Sequence, residues 1–144
     1  MKAKGRLNIV LKDENGNIKE TREVDNLVVS AGLDYIASRM KDATATAMSH
    51  MALGSGTTAA AAGDTDLESI LGSREALDST TVTDNTVQYI SSFEAGDATG
   101  AVTEAGIFNA ATAGTMLCRT VFSVVNKGAN DTLSITWTIT ISAS

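Results

Sequence analysis

The closing segment of the chain leaves little freedom in how it can fold. From Thr132 to Ser142 it places Leu133, Ile135, Trp137, Ile139 and Ile141 on one side, and Ser134, Thr136, Thr138, Thr140 and Ser142 on the other. A strict period of two is a strand with one face on a core, and a register slip of one residue would expose all five apolar side chains. Such a strand cannot stand alone, so the rest of the chain must supply partners for it. Candidate strands precede it at short spacing: Arg74 to Thr83, Thr86 to Phe93, Ala101 to Asn109 and Thr115 to Val125. Gly, Asn and Asp separate them, the residues turns require. Thr115 to Val125 is apolar on both sides, with Met116, Cys118, Phe122 and Val124 on one and Leu117, Val121 and Val125 on the other. That pattern suits a strand covered on both faces, by the helix described next or by another subunit.

The first quarter of the chain follows two further patterns. Leu7, Ile9 and Leu11 alternate with polar residues, Asn15-Gly16 supplies a hairpin turn, and Ile18 to Asp25 returns as a polar edge strand. The charged run Lys19 to Glu23 is expected to stay solvated or to lie at a polar rim. From Leu27 to Lys41 the spacing of Val29, Leu33, Ile36, Ala37 and Met40 predicts an amphipathic helix, capped by Asp25 or Asn26 and ended by Lys41. Asp42 to Met48 reads as a loop, His50 to Leu53 as a short buried strand, and Asp64 to Leu71 as a helical turn stopped by Gly72. The 144 residues then form one domain: a hairpin over 1–25, a helix over 27–41 and the main strands over 74–142. The expected fold is mainly β, an antiparallel β-sandwich with one amphipathic α-helix and an N-terminal β-hairpin.

Composition narrows the function. Eleven Lys and Arg face 17 Asp and Glu, and a net charge of −6 argues against nucleic acid or a membrane surface as partner. No apolar stretch approaches the ~20 residues that span a bilayer, and the basic N-terminus does not continue into the apolar core of a signal peptide. The chain therefore reads as made and kept in a cytoplasm. One Cys and one His leave no disulfide, no Cys-based zinc site and no multi-histidine metal site. No cofactor is expected.

The remaining motifs favour structural readings. Gly54-Ser55-Gly56-Thr57-Thr58 lacks the Lys of a phosphate loop and reads as a flexible turn. Asp64, Asp66, Glu68 and Glu75 have calcium-loop spacing, but Ser69 stands where the loop demands Gly, so a helix cap is preferred. Asp13, Asn15 and Asn17 repeat the pattern with fewer carboxylates and read as hairpin. His50 next to Ser49 is the one His available to a catalytic triad and reads as a structural residue. Cys118 lies within an apolar strand and reads as packing. Six aromatic residues, five on or beside apolar faces, weaken a sugar-binding platform. No residue is assigned to catalysis.

Four stretches carry a family resemblance: Asn26 to Leu33; Met51-Ala52-Leu53-Gly54-Ser55-Gly56-Thr57-Thr58 with Ala62 to Leu67; Thr103-Glu104-Ala105-Gly106-Ile107-Phe108-Asn109 with Gly114 to Phe122; and Asp131 to Ile139. Across Asn26 to Ser142 the chain resembles small virion proteins of tailed bacteriophages. The resemblance implies a structural role, most often tail or tail-fibre associated: a fibre base, collar or baseplate piece, or alternatively a capsid decoration (cement or head-fibre) protein. It also implies partners, namely further copies in a symmetric homo-oligomer, a trimer favoured, and other virion proteins, with the virion as location. Thr136 and Thr138 on the polar face of the last strand, and Leu117, Val121 and Val125 on the doubly apolar strand, are the expected subunit-contact residues. A glycan-binding module reading host surfaces through loops near Asp97 or Asn130 is the alternative from a different class.

Overall fold

The computed structural model describes residues 2–41 and 45–143. The chain runs through β1 (Lys2–Lys12), β2 (Ile18–Val28), α1 (Ser30–Arg39), β3 (His50–Gly54), β4 (Glu75–Ala76), β5 (Ser79–Thr83), β6 (Thr86–Phe93), β7 (Gly100–Phe108), β8 (Met116–Lys127) and β9 (Thr132–Ser142). These strands form one nine-stranded antiparallel sheet in the order β4-β3-β7-β8-β2-β1-β9-β6-β5. The fold is mainly β with one short helix, as the periodicities require.

The sheet curls until its halves share a core. Leu7, Ile9 and Leu11 of β1, Leu133, Ile135, Trp137 and Ile139 of β9, and Phe93 of β6 pack with Met51 and Leu53 of β3, Ile107 of β7 and Val125 of β8. Each such side chain stabilises the fold by roughly 1.5–3 kcal/mol when fully covered. Two segments turn the corners by changing partners. β2 pairs with β1 as far as Asn26, then with β8 through Leu27↔Arg119 and Val28↔Cys118. On the opposite side β4 pairs with β3 and β5 with β6. The two residues between them keep the ladder going, since Leu77 N–H donates to Ser49 C=O at 2.9 Å and Asp78 N–H to Ile90 C=O at 2.7 Å. The expected strand Arg74 to Thr83 is therefore two short strands, split where the chain passes from one edge of the sheet to the other.

The N-terminal hairpin forms as its sequence dictates. Gly16 takes φ +82°, and the Asp13 carboxylate accepts the N–H groups of Asn15 and Asn17, both at 2.9 Å. β6 and β9 have the expected limits, and Thr136 and Thr138 lie on the uncovered face of β9.

Further expectations need correction. The helix spans Ser30–Arg39 rather than 27–41, because Leu27 and Val28 are held in the sheet by β8. Its N-cap is Val29, with no side-chain cap; Asn26 instead accepts the indole N–H of Trp137 at 3.1 Å. Its covered face is shifted: Val29 is buried and Ile36 packs on the core as expected, but Leu33 is 48% and Met40 79% exposed while Gly32 is buried. The reason is backbone approach, since a Cβ on Gly32 would stand 2.1 Å from the Leu117 carbonyl oxygen. Finally, Asp64 to Leu71 is not helical. It forms bends that lie against β3, with Ile70 bridged to Gly54. Part of the expected 42–48 loop, residues 42–44, lies outside the described residues.

Candidate assembly surface and the buried ion network

Because Leu7, Ile9 and Leu11 point into the core, Arg6 and Asn8 point out. Cross-strand neighbours on β2, β9 and β6 share that face. One row runs Asp25–Arg6–Thr138–Gln88, and the next runs Glu23–Asn8–Thr136–Ile90. Arg6 holds the charges together, donating to Glu23 at 2.7 Å and Asp25 at 3.0 Å. The Glu23 hydrogen bond and the two negative charges hold its guanidinium even more firmly protonated than usual. The twist of the sheet makes this face a broad, open concavity of about 780 Å³ that also includes Lys4 and Thr140. Glu23, from the charged run of β2, stands at its rim, whereas Lys19 reaches away to Asp131 at 2.8 Å.

The other expected contact residues lie elsewhere. Leu117 and Val125 are 2% and 0% exposed and are used in the subunit's own core. Val121 is half-buried opposite Glu104 on the other half of the sheet. The structure thus brings Thr136 and Thr138 together and separates them from Leu117, Val121 and Val125. Cys118 is fully buried, and burial pushes its thiol well above the ordinary range, which suits packing.

Ser49 Oγ and His50 Nδ1 share a hydrogen bond at 2.7 Å. In a catalytic triad the hydroxyl faces one ring nitrogen and a carboxylate holds the other. Here the neighbouring serine occupies Nδ1, and among the described residues no carboxylate hydrogen-bonds to the ring. Glu75 on the adjacent strand is held above its usual value by burial and by the charge of Asp97, against a smaller pull from His50. The loops of the glycan reading do meet, Gly96 N–H donating to Ala129 C=O at 2.9 Å. The aromatics Trp137, Phe93 and Phe108, however, are 0% exposed.

Sequence reasoning missed the most concentrated polar cluster. Glu104 of β7 is 0% exposed and accepts four hydrogen bonds: from the backbone N–H groups of Gly56 (2.7 Å), Glu68 (2.9 Å) and Ser69 (2.8 Å) and from Arg119 Nε (3.0 Å). Arg119 completes its fork on Asp64 at 2.9 Å and the Thr58 carbonyl at 3.0 Å. This network straps residues 56–69 across the outside of β7 and β8, above a second apolar cluster of Val29, Ala52, Leu67, Phe108 and Met116.

The carboxylates of calcium-loop spacing are thereby engaged inside the chain. Asp64 holds Arg119, Asp66 accepts Leu67 N–H, and Glu68 accepts the N–H groups of Thr57 and Thr58. The Gly54–Thr58 stretch is not a free turn either. A Cβ on Gly54 or Gly56 would come within 2.6 or 2.3 Å of the Glu104 carboxylate, so these glycines admit an internal anion. The signal available in the sequence was a carboxylate and a guanidinium inside two otherwise apolar strands. Comparison with family models, with curated proteins and with solved structures finds no match to this chain.

Proposed function

We propose that this chain is a non-enzymatic building block of a tailed-phage virion, a tail, fibre-base, collar or baseplate-associated part that assembles as a symmetric homo-oligomer, a trimer favoured. The resemblance over Asn26 to Ser142 supplies the class. The observation that carries the reading is the outer face of β1, β2 and β9: a wide concavity of threonine rows beside paired charges, a shape suited to a protein contact. Thr136 and Thr138 line it from β9, and Leu117 and Val125 are taken up by the subunit's own core. Closed symmetry is the usual solution for copies of one chain.

Sedimentation of the wild type beside a Thr136→Lys, Thr138→Lys double variant tests this. A stable contact covers about 800 Å² per partner, and two lysines within it should convert oligomers to monomers while the circular dichroism stays unchanged. Wild-type protein that remains monomeric at high concentration and is absent from purified particles overturns the proposal. Location on heads rather than tails would move the chain to the capsid-decoration role. Glycan binding lost on changing Asp97 or Asn130 would favour host recognition.

A further inference from the structure

The edge strand β5 is unlike every other strand of the molecule. All five of its residues, Ser79 to Thr83, are exposed, and no described strand pairs along its other side. Exposed edges are normally blunted by charge, proline or a bulge, because their free N–H and C=O groups template another strand. The sequence Ser-Thr-Thr-Val-Thr has none of these protections and is built from strong strand formers. Beside it opens a largely apolar groove of about 340 Å³ between α1 and the sheet, lined by Thr80, Val82, Val87, Tyr89 and Ile36, with Arg39 as its one charged lining residue. Val82 itself is 70% exposed. Main-chain edge and side-chain groove together are the two parts of a strand-addition site: the first binds any extended backbone, the second selects alternate side chains.

Charge selects the occupant. Asp78 and Asp84 flank the strand, one at each end, and both are exposed. In an antiparallel pairing of two copies centred on Thr81, Asp78 of one copy would lie opposite Asp84 of the other at both ends, and a register that avoids this shortens the ladder. Two chains of net charge −6 add to that repulsion. We infer that β5 accepts an extended segment of a different virion chain, with basic residues at its ends and β-branched or other apolar side chains alternating toward the groove. The identity of the donor as a virion chain rests on the function proposed above; the strand-addition chemistry does not.

The probe is a fluorescent peptide of alternating valine and threonine with a lysine at each end, titrated against the full chain by anisotropy. Saturable binding is expected. A glutamate-ended version should bind roughly tenfold more weakly, two attractive end pairs having become repulsive. A version N-methylated at alternate amides should not bind, and Val82→Lys, at an exposed position, should abolish binding with the melting curve unchanged. Asp78→Asn with Asp84→Asn, the latter compatible with the φ of +52° at Asp84, should erase the lysine preference and keep the binding. Equal binding of all peptides, no binding, or full binding by Val82→Lys overturns the inference. Self-association abolished by Val82→Lys also overturns it, since the edge would then take a second copy. Failed peptide binding with Thr136-dependent assembly intact removes only the edge site. Peptide binding by a chain absent from particles removes only the virion role.

Discussion

Glu104 has no contact with water, and an isolated carboxylate at such a position would cost far more than its packing returns. It is tolerated because three backbone N–H groups and one guanidinium converge on its two oxygens, and because Gly54 and Gly56 leave the space for it. Replacing Glu104 by Ala takes the acceptor from all four donors at once and leaves Arg119 with Asp64 and one carbonyl. The expected cost is about 3–5 kcal/mol, a large part of the stability of a small domain. Glu104→Gln keeps one acceptor oxygen and should cost less, about 1–3 kcal/mol. Urea unfolding followed by the fluorescence of the fully buried Trp137 measures both, and equal stability of Glu104→Ala and wild type would show that the cluster is decoration. Sequence alone could not give this role. Period two assigns a Glu in a strand to the solvent face, and the segment that covers it lies more than thirty residues away.

At the scale of elements, the strands were legible where one face meets the core and the other meets solvent, as in β9 and β6. There hydropathy and pleat report the same thing. The helix was legible as a helix but not in its orientation. Of its hydrophobic stripe Val29 and Ile36 do reach the core, but Leu33 and Met40 do not, and the closest approach is made by Gly32, a residue without a side chain and therefore silent in any hydropathy pattern. The two readings predict opposite outcomes. Leu33→Gln should change stability by no more than about 0.5 kcal/mol, as for other exposed positions. Gly32→Ala, whose methyl would sit 2.1 Å from the Leu117 oxygen, should cost about 1–3 kcal/mol and speed amide exchange along Leu33–Arg39. A costly Leu33→Gln with a neutral Gly32→Ala would restore the amphipathic docking. The split of the 74–83 segment was equally hidden, because a strand that changes partners keeps its local pattern throughout.

Across the whole molecule, the curled sheet is tied at several points by carboxylates that work only when ionised. Asp131 joins the β8–β9 turn to the N-terminal hairpin, accepting Lys19 Nζ and Gly128 N–H at 2.8 and 2.7 Å. Those two hydrogen bonds, the lysine first, hold its carboxyl below the usual range. Asp13 is lowered by the hairpin N–H groups, Asn17 first, and Glu68 by Thr58 and Thr57. All three lie lower in the folded chain than in the unfolded one, where carboxyls titrate near about 4. Such groups stabilise fully above the unfolded value, and the contribution is lost as pH falls through about 4 toward the folded values. The unfolding free energy should therefore be level from neutral pH to about 5 and decline below it. Asp131→Asn should lower the plateau and make the decline shallower, because one of the three linked protons is gone. An acid limb of the same slope in both proteins would mean that the Lys19–Asp131 tie does not couple the hairpin to the closing turn. The carboxyl responsible would then be sought among the other two.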